Sequence, residues 1–188
     1  MKTIKLFSWI FFGLLCVAQL GVILFQIVNY ERILKEGEVF YFKVLPLDPY
    51  DAFRGRYVSL RFENVTKAPL AEGEVSRDEP SKGYAILEHN ENGDAIKEVR
   101  FTKPSSGNFL EVDVNFIHQD SSSQKSATIS LPFDRFYMRE EIAPKAEKVL
   151  RARSGVTVNA KLRVLEGKGV IEELMVGEIP LSQFVLSK

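Results

Sequence analysis

The hydrophobic pattern of the first thirty residues has no period. From Leu6 to Tyr30 no charged side chain occurs; Lys2 and Lys5 precede the run, and Glu31 and Arg32 follow it. A segment apolar on every side predicts a helix surrounded by apolar material, because a helix on a soluble core keeps one polar face. As a helix, the run extends about 37 Å, enough to cross a hydrocarbon layer of about 30 Å with some tilt. Trp9 and Tyr30 stand where interfacial aromatics are favoured. A cleaved signal peptide has a shorter apolar core and a small-x-small site, for which Val17, Ala18, Gln19 and Leu20 are poorly suited. A lipoprotein signal needs a small residue before the cysteine, and Leu15 precedes Cys16. The pattern therefore divides the chain into a tail over 1–5, a transmembrane anchor over 6–30, a charged linker over 31–37 and a soluble domain over 38–188. Lys2 and Lys5 bias the N-terminus to the cytoplasm, which puts the domain outside the membrane. Gln19 and Gln26, seven apart, share one helix face.

After the linker the period shortens to two. Val39 to Leu45 is interrupted only by Lys43 and predicts a strand buried on both faces. Tyr57 to Phe62 alternates, with Val58, Leu60 and Phe62 on one face, and predicts one half-buried strand. Val65 to Gly83, with two prolines and two glycines, reads as a long surface loop. Tyr84–Glu88 and Ala95–Phe101 flank Asn92-Gly93, a strong hairpin signal. Leu110, Val112, Val114 and Phe116 alternate with polar residues, and Ala127–Leu131 follows a polar loop. One amphipathic helix is expected over Arg139 to Arg153, with Ile142, Ala146, Val149 and Leu150 on its apolar stripe. Val156 to Val164 alternates, Gly167 and Gly169 mark a turn, and Val170–Val176 returns as the last strand. The fold class this predicts is α+β: a transmembrane helix, then a mostly antiparallel β-domain with one packed helix.

Composition narrows the chemistry. The 25 basic and 25 acidic residues cancel, which offers no basic face for nucleic acid. The single cysteine, Cys16, lies in the anchor, so the soluble part has no disulfide. A domain of roughly 150 residues buries enough surface to fold without a metal or a crosslink. His89 and His118 are the only histidines, and neither has a ligand partner at zinc spacing, so no metal and no cofactor are expected. No nucleophile elbow and no phosphate-binding loop occurs. A Ser–Lys peptidase would have to use Ser59, which falls in mid-strand.

The densest unusual stretch runs from Pro46 to Phe62. Asp48 before Pro49 favours an Asx turn. Asp51 can cap a helical turn, and Arg54 can pair with either carboxylate. Gly55 permits the positive φ needed to re-enter a strand. Two readings stand together: a structural connection between strands, and an interaction rim made by Asp48, Asp51, Arg54 and Arg56.

This stretch resembles the GDYXXLXY family of membrane-anchored bacterial proteins. Gly55, Tyr57, Leu60 and Phe62 occupy the motif's Gly, Tyr, Leu and final Tyr positions, and Asp48-Pro49 and Arg54 fit its lead-in. Arg56 stands in place of the motif Asp, and Phe62 in place of the final Tyr. Phe136-Tyr137, Glu140, Ala146-Glu147 and the last hairpin resemble the family's second block. The resemblance implies a location in the cell envelope and association with a multi-pass membrane protein; it implies no catalytic residue. The expectation is a membrane-tethered, non-enzymatic accessory protein. The alternative is a membrane-anchored hydrolase with a Ser or carboxylate centre.

Overall fold

The computed structural model describes residues 2–45, 57–63, 65–71, 81–90, 93–119, 125–139, 141–142, 145–146, 149 and 155–187. Its first element is a single unbroken helix, α1 (Lys2–Glu36), of 35 residues. None of its apolar stretch is buried inside the molecule, and it is long and apolar enough to cross a membrane. A core helix of a soluble domain would be covered by it; this one projects bare. The helix runs on through the charged linker to Glu36, and its first buried side chain among those described is Ile33, 5 % exposed.

Gly37 separates α1 from β1 (Glu38–Leu45), and β1 lies inside a five-stranded sheet of order β12-β11-β10-β1-β3. The other strands of this sheet are β3 (Arg61–Phe62), β10 (Val158–Leu165), β11 (Lys168–Val176) and β12 (Ile179–Pro180), of which β1 pairs with β3 and β10. All the strand pairings in this sheet are antiparallel. A second five-stranded sheet has the order β4-β8-β7-β5-β6. It comprises β4 (Lys67–Pro69), β5 (Ser81–Asn90), β6 (Gly93–Arg100), β7 (Phe109–Gln119) and β8 (Lys125–Ser130). Its two edges meet: Leu70, just past β4, bridges Val99 of β6, and the Ala71 N–H donates to Val99 O at 3.0 Å. Closing a sheet on itself removes the open edges that invite aggregation. A two-stranded ribbon, β2 (Tyr57–Ser59) with β9 (Arg135–Tyr137), completes the strands.

The core is continuous across both sheets. Phe40, Phe42, Val44 and Leu162 from the first share one cluster with Val99, Leu110, Val114 and Ile129 from the second. The strong alternation over Val158–Leu165 appears as four buried residues interleaved with four half-buried ones. At the turn that follows, Glu166 (φ 52) and Gly167 (φ 89) both take positive φ, as a two-residue primed turn requires. Gly167 also has no room for a side chain, since a Cβ would lie 2.7 Å from the Phe109 ring.

Three expectations change. β1 is buried on one face only: Phe40, Phe42 and Val44 point inward, while Tyr41 and Lys43 are exposed. The density of apolar residues there reflects an aromatic outer face, not a second buried one. The predicted strand Tyr57–Phe62 breaks at Leu60, its halves pairing with β9 and β1 in different sheets. The expected loop after Val65 begins as β4, held to β8 and burying Val65, Ala68 and Leu70. Of the helix expected over Arg139–Arg153, Lys145, Ala146 and Val149 are helical, while Arg139 is irregular and Glu141 and Ile142 form a turn; Ile142 and Ala146 are buried, and the remaining positions lie outside the described residues. A terminal helix, Leu181–Leu186, was not foreseen; it is too short for its period to show, and it buries Leu181 and Val185.

Candidate functional site

The joint between helix and domain is built from Gly37 outward. Its N–H donates to Ile33 O at 2.9 Å, ending the helix, and its carbonyl accepts from Arg163 Nη1 at 3.1 Å. Arg163 Nε also donates to Glu172 at 2.6 Å, and Lys161 Nζ donates to the other oxygen of the same carboxylate at 2.8 Å. Glu172 reaches both because the β10–β11 register skips it: Lys161 faces Glu173 while Leu162 faces Ile171. Such a bulge re-aims one side chain. Burial pushes the Glu172 carboxyl up, but the hydrogen bonds and charges of Lys161 and Arg163 outweigh it and hold it below the usual carboxylate range. Outside this brace, Arg32 bridges Glu36 (2.9 Å) and Glu166 (3.3 Å). The helix is thus tied to the β10–β11 hairpin by side chains as well as by the chain.

A groove of about 560 Å³ opens beside this joint. The helix contributes Val22, Phe25, Gln26 and Asn29; the domain contributes Lys82, Glu111, Asp113 and Lys168. Lys82 and Glu111 are paired at 2.8 Å. A second cleft, of about 620 Å³, lies between Glu36, Glu38 and the loop from Lys103 to Phe109.

Next to Glu38 stands His89. Its Nδ1 is 2.6 Å from Asp94 Oδ1, its Nε2 is 3.0 Å from Glu38 Oε1, and its ring stacks on Phe40 at 4.5 Å. Asp94 also accepts the Tyr41 N–H. Hydrogen bonds from the ring to Asp94 and then to Glu38 raise the imidazole above its ordinary pKa. With both ring nitrogens engaged by carboxylates, this histidine works as a cross-brace from the β5–β6 hairpin to β1. His118 contacts the Thr128 hydroxyl at 3.0 Å. Among the described residues no group of three His, Cys, Asp or Glu side chains is placed to hold a metal.

The motif divides at residue 57. Asp48, Pro49, Asp51, Arg54, Gly55 and Arg56 lie outside the described residues. Tyr57 is placed by its backbone, opposite Tyr137 in the β2–β9 ribbon. Leu60 and Phe62 are 6 % and 5 % exposed. The Leu60 N–H donates to Asp134 O at 2.7 Å, and the Phe62 ring meets Phe133 edge-to-face at 5.8 Å. These two positions hold the crossing between the ribbon and the first sheet. The residues missed by sequence reasoning are Gly37, Arg163 and Glu172. A glycine directly after a long helical pattern is a helix-stop signal that could have found the first; nothing local announces the bulge that recruits Glu172.

An apolar helix fixed to a β-rich domain defines the class: a helix-tethered α+β protein. A family model described as "GDYXXLXY protein" matches residues 19–174, from inside the helix to the last strand of the hairpin. The chain belongs to this family. Comparison with curated proteins and with solved structures finds no match.

Proposed function

We propose that this chain is a membrane-tethered, non-enzymatic accessory protein of the bacterial cell envelope. Its N-terminus lies in the cytoplasm, its domain outside the membrane, and it acts with a multi-pass membrane partner. The observation that carries the reading is the joint: the bare apolar helix enters the first sheet through one glycine, and Arg163 and Arg32 tie it down. A domain held this close presents its surface to neighbours in the same membrane. A soluble partner would need no such proximity. The basic residues Lys2 and Lys5 support the orientation.

Fusion of alkaline phosphatase to the C-terminus tests the topology. Activity is expected, and a fluorescent protein that matures only in the cytoplasm should stay dark at the same position; the reverse result overturns the orientation. Affinity purification of the full-length protein in detergent should bring a multi-pass protein with it. Arg54→Asp with Arg56→Asp should release that partner; substitutions at exposed positions shift stability by less than about 0.5 kcal/mol, so a double variant that melts early marks the two arginines as structural ion-pair members instead. Retention of the partner by a normally melting double variant removes the rim around Asp48, Asp51, Arg54 and Arg56 from the interface.

A further inference from the structure

The groove beside the joint lies at a particular depth. A hydrocarbon layer of about 30 Å takes about 20 helical residues at 1.5 Å each. Counted from Leu6, the first residue after Lys5, that length ends near Phe25. Val22 and Phe25 then lie at the hydrocarbon edge, and Gln26, Asn29 and Tyr30 in the head-group layer. The domain residues that face them across the groove stand at the same level. They carry charges of both signs: Lys82 and Lys168, and Glu111 and Asp113.

The possible occupants differ in size and charge. Three turns of a second helix, about 10 Å across and 16 Å long, would fill on the order of 1,200 Å³, roughly twice the groove's approximately 560 Å³. An apolar helix would also cover the Lys82–Glu111 pair and leave Lys168 and Asp113 without a partner from the helix, which is costly. A purely anionic head group would meet Glu111 and Asp113 as readily as the two lysines. A zwitterionic head group matches both signs, and a primary ammonium adds N–H donors that a quaternary one lacks.

We propose that this groove seats one bilayer phospholipid of the ethanolamine class. Its phosphate faces Lys168 and Lys82, its ammonium faces Asp113 and the Gln26 and Asn29 amides, and its acyl chains leave along Val22 and Phe25. The site rests on the membrane-spanning reading of α1.

Full-length protein, reconstituted in vesicles of phosphatidylethanolamine, phosphatidylglycerol and phosphatidylcholine in equal parts, is washed with sodium carbonate. It is then released into mild detergent and weighed by native mass spectrometry. One phosphatidylethanolamine should remain bound in preference to the other two lipids. Asp113→Asn with Lys168→Met should abolish that preference with an unchanged melting temperature. Asn29→Trp, which fills the groove from the helix side, should displace the lipid independently. Equal retention of the three lipids, preference for phosphatidylglycerol, or a preference unaltered by both variants overturns the proposal. So does a second protein chain held in the lipid's place. Release of the protein by carbonate would instead refute the membrane-spanning reading itself.

Discussion

Replacing Gly37 with alanine adds one methyl group where helix becomes strand. The new Cβ would lie 2.4 Å from Ile33 O, 3.1 Å from Val164 N and 3.2 Å from Arg163 Cβ. Ordinary contacts between such atoms fall near 3.5–4.0 Å, so the backbone must move by about an ångström. The atoms in the way are mostly backbone, which no rotamer change relieves. The cost is steric, because Gly37 does not have a positive φ. Overpacking of this kind costs about 1–3 kcal/mol. The shift also strains two hydrogen bonds, Gly37 to Ile33 and Arg163 to Gly37, each worth about 1 kcal/mol or somewhat more for the charged donor. A total of about 3 kcal/mol lowers the melting temperature of a domain this size by about 6–12 °C. Circular dichroism of the full-length protein in detergent, followed in the β-sheet band, measures it. Gly13→Ala is the control: it lies in the same helix with nothing within 4 Å of the added methyl group, and should melt like wild type. A Gly37→Ala protein that melts with the control would refute the close approach and the rigid joint built on it.

Three further outcomes are expected. The folded-state pKa of His89 is raised by Asp94 and Glu38, so its contribution is complete below the unfolded value of about 6.5 and is lost as pH rises through the folded one; the gap in melting temperature between wild type and His89→Ala should therefore narrow from pH 5.5 to pH 8.5, values chosen to lie roughly either side of that range, and a constant gap would show that only the stacking on Phe40 matters. Glu172 has a depressed pKa, so its stabilisation is present above about pH 4.3 and fades as pH falls through its folded value; Glu172→Gln should cost about 1–2 kcal/mol at neutral pH and little in acid, as read from denaturant melts. Phe62→Ala removes a buried ring packed on Phe133 and should cost about 3–5 kcal/mol, whereas an undiminished melt would separate the motif's last position from the core.

Properties that depend on the chain alone could be read before folding. The length and apolarity of Leu6–Tyr30 describe a helix long and apolar enough to cross a membrane, because a helix satisfies its own backbone and needs no partner for that. The α+β class was legible for a similar reason: period-two alternation over Val158–Val164 and a glycine at residue 93 (φ 116) are local signals, and an antiparallel hairpin such as β5–β6 joins neighbours in sequence. The motif announced itself as a resemblance, but not that Leu60 marks the point where the chain leaves one sheet for another. That break, like β4 and the closure of the second sheet at Leu70–Ala71, arises from pairings between distant segments, and residues many positions apart carry no local trace of their register. The same holds for the joint. Arg163 reaches Gly37 across 126 positions, and Glu172 meets Arg163 because a bulge turns it there. The mixed charges of Lys82, Glu111, Asp113 and Lys168 look like scattered surface residues along the chain; only the folded domain gathers them beside one end of the helix.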